Sequence, residues 1–476
     1  MVVNVAAIPG DDRDADGRSD VSDASSTTAG SETNVASTAN NKSKAQAGGS
    51  SSSSGSASPV EKKRRTSTVS TSASSTASST SSSRPGAIKA NVSAAAEKQK
   101  VTCLSDIELT DETAQRSEYH FGYFGLLDKF ILPLLRDKRD LPMVYLQLNI
   151  INFLWPLALA VLYTGNVYLG IAYLPIALLG FMERFILMLH FASHRKVFKN
   201  EFLSGFALYF IAPFFGIPPG AYYLHHIIMH HGENNHGLDT SETESYHREG
   251  VFGFLKYWLR FLVGLSIELP VYALRTGRVG WFFFFWVCMG SWASVIAACW
   301  KFFTPTGTIF VWIAPHFLAL SAMALGNYAQ HVFVDPDSPS NNYTLSYNCL
   351  NVGTNQTTFN DGYHILHHIF PRLHWSELPR KFATSLREHK SNRALTFRNI
   401  HFFDVGVLVL TGQIEKLARE HYVFLDEKGI RREQDKSGVD SKDKRSLEEE
   451  VPTVADVTRD LYRRLTFIPP YSRKID

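Results

Sequence analysis

Nine of the chain's 18 histidines fall in four short clusters, and each cluster adjoins a long apolar run. His190 and His194 form H-F-A-S-H, and His331 ends N-Y-A-Q-H with Asn327 one helical turn earlier. The other two clusters are H-I-I-M-H-H and H-I-L-H-H, with His226, His230, His231, His364, His367 and His368. Imidazole is the most common ligand for borderline metals, and nine rings exceed what one ion can use. The pattern therefore predicts a membrane enzyme with a two-metal site.

The spacing within the clusters supports two ions. Residues three or four apart share a helix face, so His190 and His194 can point at one spot, as can the histidines of H-I-L-H-H. Neighbouring residues such as His230 and His231 diverge by about 100° around a helix, so they can reach different metals. A structural zinc takes four ligands and a catalytic zinc usually three, which argues against a zinc hydrolase. A metal transporter would carry its ligands within the spans, whereas these clusters flank them.

The remaining histidines have no clustered partner at helical spacing. Single histidines near a membrane surface usually pack against neighbours, cap helices or face water, and this interpretation is favoured for the others. They are His120, His225, His236, His247, His316, His374, His389, His401 and His421. We expect His389 in particular to face water because it lies in a charged segment.

Composition divides the chain into three parts. Residues 1–117 are rich in Ser, Thr, Ala and Gly and almost free of aromatic residues, so they are predicted to be a disordered arm. Residues 118–400 hold the apolar runs and the His clusters, and residues 401–476 form a soluble tail predicted to be helical and partly disordered. In the tail, Val407 to Tyr422 is predicted to form one helix. The formal net charge of +3 makes nucleic acid an unexpected partner.

Four segments are long and apolar enough to cross a bilayer. They are Leu141 to Tyr163, Val167 to Leu189, Trp281 to Trp300, and Thr306 to Leu325. Two shorter stretches, from Phe202 to Gly216 and from Phe261 to Leu274, are ambiguous. Since all four His clusters must meet on one side of the membrane, neither can cross alone, and both are interpreted as interfacial or re-entrant. Pro218 and Pro219 would end the first, and Glu268 with Pro270 would interrupt the second.

These elements predict an all-α integral membrane bundle with about four transmembrane helices, additional interfacial helices and a cytosolic helical cap that carries the His clusters. A further interfacial helix is expected over Phe121 to Leu135. Lys and Arg are concentrated before the first span, after the second and before the third, whereas the far-side loops carry only Lys301. By the positive-inside rule, both termini and every His cluster are expected to be cytosolic.

The order H-x-x-x-H, H-x-x-x-H-H and H-x-x-H-H, separated by hairpins of spanning helices, resembles the three His boxes of the membrane fatty acid desaturase superfamily. Asn327 and His331 resemble the family's additional pair, a His ligand and an Asn that holds a metal-bound water. The resemblance covers about Phe121 to Leu378. Its motifs are specific to the superfamily, which also contains hydroxylases and ketolases, and not to one substrate.

The resemblance implies two iron ions, with Asn327 acting through water. The implied ligands are His190, His194, His226, His230, His231, His331, His364, His367 and His368. In the second box either His225 or His226 could come first, and His226 is favoured because it lies four residues before His230. Glu183 is a candidate for lining the substrate path or for helix packing with Arg184. Asp361 is a candidate partner for a ligand's ring N–H, the alternative being a solvated loop carboxylate.

The implied activity is oxygen-dependent desaturation of a fatty acyl chain in an acyl lipid or sphingolipid, and a hydroxylase is the nearest alternative. The implied place is the endoplasmic reticulum membrane. Two electrons are needed per turnover, and the sequence has neither the H-P-G-G haem motif of fused cytochrome b5 domains nor a Gly-rich dinucleotide motif after Arg380. An external electron donor such as cytochrome b5 or ferredoxin is therefore expected.

Overall fold

The structure is a computed structural model that describes residues 92–111, 125–438 and 449–470. Most of the arm predicted over residues 1–117, and the first four residues of the helix predicted from Phe121, lie outside the described residues. The described chain is mostly helical, and its few strands are short. The expected all-α membrane bundle is confirmed.

Seven longer helical stretches precede the third His cluster. They are α1 (Lys138–Thr164), α2 (Val167–His194), α3 (Glu201–Phe215), α4 (residues 221–233), α5 (Val251–Arg275), α6 (Val279–Phe302) and α7 (Pro305–Gln330). Before α1, residues 125–134 form three consecutive short helical turns. Besides two 3-10 turns, Asn355–Thr358 and Trp375–Glu377, seven short helices follow α7 in the described part of the chain. They are α8 (His364–Ile369), α9 (Leu378–Thr384), α10 (Leu386–Ser391), α11 (Phe402–Leu410), α12 (residues 414–421), α13 (Glu427–Lys436) and α14 (Val454–Thr466).

Two pairs of short parallel strands connect distant parts of the chain. β1 (Thr102–Cys103) pairs with β4 (Val423–Phe424), and β2 (Tyr347–Leu350) pairs with β3 (Leu395–Arg398). A β-bridge between Lys100 and Thr453 adds a further contact between the segment that contains β1 and the C-terminal region. Residues 92–111 therefore pack with the C-terminal region, although composition places them in the disordered arm.

All four predicted spans are present, and α1, α2, α6 and α7 extend each of them at one or both ends. The fifth helix long and apolar enough to cross is α5, which differs from the expectation. Glu268 and Pro270 do not interrupt it. Pro270 lies inside the continuous helix, and the Glu268 carboxylate accepts hydrogen bonds from Arg260 at 3.2–3.3 Å, two turns earlier on the same helix. The predicted break is wrong because the Glu268 carboxylate, whose charge would oppose burial, pairs with Arg260 on the same helix.

The shared site of the His clusters limits how many of these helices can cross. Three helices, α5, α6 and α7, lie between His230 and His331, yet the two imidazole rings are 5.0 Å apart. Two residues at one site lie on the same side, so an even number of the three helices crosses the bilayer. This parity agrees with the prediction that α6 and α7 cross as a hairpin while the segment within α5 does not cross, which stays a prediction.

The tail also differs from the prediction of one helix over Val407 to Tyr422. Helix α11 ends at Leu410 and α12 starts at residue 414. The chain turns at Gly412, whose φ of +71° is a conformation that glycine adopts without a steric cost. The apolar periodicity continues through this turn, so the sequence pattern alone does not show it.

Candidate metal centre

The first and last His clusters lie on helices that place their rings together. His190 and His194 lie one turn apart at the end of α2, and α8 carries His364, His367 and His368. His190 Nε2 is 2.5 Å from His367 Nε2. Two residues 177 positions apart therefore face the same point.

The second cluster adopts a wider helical turn than predicted. Residues 224–230 are π-helical, so side chains five apart align. The ring of His226 therefore lies in the same group as the ring of His231. The i to i+4 spacing predicted that it would lie with His230, and this prediction is wrong. His226 Nε2 and His231 Nε2 both lie 3.1 Å from His194 Nε2. The predicted divergence of His230 from His231 is confirmed, because the two belong to different groups.

Among the described residues, the ring nitrogens form two groups, each with all donor atoms within 4.8 Å of one another. The first group contains His190, His194, His226, His231 and His367. The second group contains His230, His331 and His368. His364 adjoins the second group, with its Nε2 3.2 Å from His368 Nε2. The structure thus brings all nine predicted histidines together in two neighbouring groups, while their roles as ligands stay predictions.

The donor set fits metal ions. Burial, together with the neighbouring imidazoles, lowers the pKa of His226, His231 and His367 well below the usual value, so these rings are neutral. The Nε2 atoms of His194, His231 and His367 approach one another at 3.0–3.1 Å, and a shared cation would be stabilised there by the lone pairs of neutral rings. In the second group, His331 donates from Nδ1 to the Leu345 carbonyl at 2.9 Å and leaves a buried Nε2 without a hydrogen-bond partner.

A layer of carboxylates and amides orients the rings. Asp361 Oδ1 lies 3.2 Å from His190 Nδ1 and 3.6 Å from His364 Nδ1, and Gln330 donates to its other oxygen at 2.6 Å. The predicted contact of Asp361 with a ligand's ring N–H is confirmed. Burial alone would raise the pKa of Asp361, but the contact with His190 outweighs it, and the pKa is lowered. An ionised carboxylate fixes the ring's tautomer and leaves the opposite nitrogen for a metal.

Asp239 has the same role for the second group, and the sequence reasoning missed it. Its Oδ2 lies 2.8 Å from His230 Nδ1, and Ser241 donates to its Oδ1 at 2.6 Å. The sequence feature that could have indicated this role of Asp239 is the polar run L-D-T-S-E-T-E-S. It follows the second cluster, and the structure buries it from Asp239 to Glu244. A buried acidic segment beside a histidine cluster indicates hydrogen-bonding partners for the rings.

Asn327 lies one turn before His331 at the end of α7. Its amide nitrogen donates to the Ser241 carbonyl at 2.7 Å and to Tyr257 Oη at 2.8 Å. The amide oxygen is therefore the atom left for a water. This arrangement supports the predicted action through water, which stays a prediction.

An apolar cavity of about 300 Å³ adjoins the rings. One end is lined by His190, His226, His230 and Asn327, and the other by Leu178, Leu179, Phe402 and Phe403. Leu179 is 88% exposed on α2, a candidate span, so the cavity lining reaches the outer surface of this helix. Glu183 also lines the cavity, and its carboxylate lies 3.4 Å from His401 Nε2.

A second cavity of about 40 Å³ adjoins the first. The two share Tyr222, His225 and Met323 as lining residues. The lining of the second cavity also includes the buried apolar side chains Leu269 and Phe285. Apolar cavity space is therefore present on both sides of these shared residues.

The family model described as "Fatty acid desaturase" matches residues 130–398. The chain is a member of the fatty acid desaturase family. The matched region is more than half of the 476 residues and contains all four His clusters. Neither the curated proteins nor the solved structures gave a significant match to the chain.

The other described histidines of this desaturase-family protein have different roles. His316 donates from Nδ1 to the Gly216 carbonyl at 2.6 Å and belongs to neither group. His225 lines both cavities and lies outside the groups, which supports His226 as the first histidine of its box. His374 contacts Asp140 at 3.0 Å, and His247 is exposed. His120 lies outside the described residues.

The expectation that His389 faces water is wrong. Its exposed fraction is 0%, and its ring packs between Phe382 and Tyr343. Its Nδ1 donates to the Ser385 carbonyl at 2.8 Å, and burial lowers its pKa to about 4. The charged residues around it face outward from α10, so the local composition was misleading about this one position.

Proposed function

We propose that this protein is a membrane lipid desaturase that uses two iron ions to introduce a double bond into the acyl chain of an acyl lipid or a sphingolipid. The desaturase family already makes it an oxidoreductase of the desaturase and hydroxylase type with a lipid acyl substrate. The observation that carries the finer proposal is the juxtaposition of two histidine groups with one end of an apolar cavity. A long methylene chain and a redox centre would meet there.

Iron supplies the oxidising chemistry when it is bound, because nitrogen ligands with open positions suit a redox metal that reacts with dioxygen. The nine histidines would be its ligands. The reaction removes two hydrogens from adjacent methylenes, and with dioxygen, two electrons and two protons it yields one double bond and two waters. A hydroxylase would use the same inputs and yield one alcohol and one water. The two outcomes differ only in the product.

The protein's own residues position the groups that react. Asp361 and Asp239 hold His190 and His230 by their Nδ1 atoms, so that Nε2 points inward. The apolar lining would exclude water and restrict the position of the chain, which would determine the methylenes that lie beside the histidines. Asn327 would hold a water at the border of the second group and the cavity.

The proposal is tested by expression in a host with a simple lipid profile, followed by lipid analysis and metal analysis of the purified protein. We expect new double bonds in lipid acyl chains and about two iron atoms per chain, because two donor groups are present. New hydroxyl groups without double bonds would assign the protein to the hydroxylases. One zinc with negligible iron, from cells grown with ample iron, would contradict the two-iron proposal.

We further propose that the protein lies in the endoplasmic reticulum membrane with both termini and the histidines in the cytosol. A glycosylation acceptor inserted into the connection between α6 and α7, which begins two residues after Lys301, is then expected to be modified. An acceptor inserted after Arg195 is expected to stay unmodified, because Arg195 directly follows His194. The electrophoretic mobility of both variants is compared before and after glycosidase treatment. The reverse pattern of modification would show that the proposed orientation is inverted.

A further inference from the structure

The apolar cavity beside the histidines has a carboxylate in its lining. Among the described residues that line this cavity, Glu183 is the only Asp, Glu, Lys or Arg. It lies within α2, a helix long and apolar enough to cross the bilayer. Charged residues in such helices are costly, and they commonly contact substrates or other polar groups. Glu183 is therefore a candidate for direct contact with the lipid substrate.

Glu183 lies on the helix face that joins the outer surface of α2 to the histidines. It follows the exposed Leu179 by four residues and precedes His190 by seven, so the three residues share one face. At a rise of 1.5 Å per residue, seven residues correspond to about 10 Å along the helix. A lipid head group at Glu183 would thus lie about two helical turns from the first histidine group.

The position of Glu183 along α2 corresponds to the level of the lipid head groups. Helix α2 begins at Val167, and about 20 helical residues span the hydrocarbon core of a bilayer. Counted from Val167, this length ends near Ile186, so Glu183 lies within one helical turn of the boundary. A lipid whose acyl chain enters the cavity would therefore keep its head group close to this carboxylate.

The Glu183 carboxylate has an oxygen available for a ligand. Its Oε1 lies 3.4 Å from His401 Nε2, and no described residue donates a hydrogen bond to its Oε2. The side chain is 41% exposed. The neighbouring Arg184 diverges from it by about 100° around the helix and does not line the cavity. This end of the cavity therefore offers a hydrogen-bond acceptor, and its described lining has no cation for a phosphate.

We propose that Glu183 selects the head group of the substrate. Its carboxylate accepts a hydrogen bond from a hydroxyl or amide N–H of an uncharged lipid, such as a ceramide or a diacylglycerol, and repels a phosphorylated head group. This inference rests on the proposed function and narrows its acyl lipid or sphingolipid to one with an uncharged, donor-bearing head. Hydrogen bonds to a carboxylate are stronger than those to a neutral acceptor, and an unpaired like charge discriminates against the phosphate.

The test compares lipids that differ only in the phosphate: ceramide with ceramide phosphate, and diacylglycerol with phosphatidic acid. Dissociation constants are measured by competition with a fluorescent ceramide on the purified protein in an uncharged detergent. We expect each uncharged lipid to bind about tenfold or more tightly than its phosphorylated counterpart, since a hydrogen bond to a charged group changes affinity by about ten- to 100-fold. The uncharged lipid that binds more tightly identifies a sphingoid or a glycerol head.

In Glu183→Gln, the ratio of the two affinities is expected to fall about tenfold, because the amide has the same shape without the negative charge. Two further variants serve as controls. Glu420→Gln removes a carboxylate that is 49% exposed on α12, away from the cavity, and is expected to leave the ratio unchanged. His401→Ala removes the contact with Glu183 but keeps the carboxylate, so the preference for uncharged lipids should persist. The melting temperature is measured for every variant.

The other outcomes contradict the head-group proposal in distinct ways. An unchanged ratio in Glu183→Gln would overturn it, as would tighter binding of the phosphorylated lipids by the unaltered protein. An equal loss of preference in the Glu183 and His401 variants, with a lower melting temperature, would assign the pair to packing of α2 near α11 and would also overturn it.

Product formation is measured separately, in membranes of expressing cells supplied with the same four lipids. If the expected binding preference is found but none of the four lipids is converted, the head-group site stands and the proposed desaturase function fails. If an uncharged lipid and its phosphorylated counterpart are converted equally well, the desaturase function stands and the selection by Glu183 is contradicted.

Discussion

Replacing His367 by Ala is expected to abolish formation of the unsaturated lipid while the protein stays inserted in the membrane. His367 Nε2 lies 2.5 Å from His190 Nε2 and 3.0 Å from His231 Nε2, so it contacts rings from two other clusters. Its loss would remove one ligand from the first group and leave the others without a complete coordination shell. Lipid products and iron content, measured at matched expression, give the result.

His247→Ala is the matched control for this substitution. The His247 side chain is 63% exposed and its one ion pair, with Glu249, is long at 3.8 Å. A surface change of this kind usually alters the free energy of unfolding by less than about 0.5 kcal/mol. Product formation should therefore match that of the unaltered protein. Full activity in the His367 variant would remove the last cluster, H-I-L-H-H, from the ligand set and with it the main support for the two-iron site.

The sequence was sufficient to predict the parts of the fold that depend on local pattern. Apolar runs located α1, α2, α6 and α7, and helical spacing brought His190 and His194 to one face. The expectation that the clusters meet at one site is confirmed for the second and third of them, since the rings of His230 and His331 are 5.0 Å apart. These features can be predicted from motif residues and from the lengths of the hydrophobic segments, because they do not depend on tertiary contacts.

What the sequence did not predict depends on tertiary contacts or local backbone adjustments. The π-helical turn over residues 224–230 pairs His226 with His231, which a regular helix would not do. His389 is buried because α9 and a distant loop cover it, and Asp239 becomes a ring partner because its loop folds back on α4. The segments around His226 and His389 look ordinary, so composition and periodicity contain no sign of these contacts, whereas the polar run that contains Asp239 was a sign of its role.

Arg248 is the clearest example of such a contact. It is fully buried, and its guanidinium donates to six backbone carbonyls, with no carboxylate among these acceptors. Three acceptors, Thr243, Glu244 and Tyr246, lie in the loop after the second cluster. The others are Val332, directly after His331, and Arg464 and Phe467 at the end of α14. One side chain thus joins the candidate metal centre to a helix outside the family match.

Arg248→Met is expected to lower the free energy of unfolding by at least about 3 kcal/mol, because hydrogen bonds to charged groups contribute about 1.5–3 kcal/mol each and the buried carbonyls would stay unpaired. Burial lowers the pKa of Arg248 to about 10, which leaves it charged and donating at neutral pH. We expect a lower melting temperature, faster proteolysis of α14 and loss of metal from the second group, since Val332 holds the chain next to His331. Arg459→Met, on an exposed position of α14, is the control and is expected to melt like the unaltered protein. If both variants melt alike, α14 is held by its apolar contacts and the buried guanidinium does not fix it to the site.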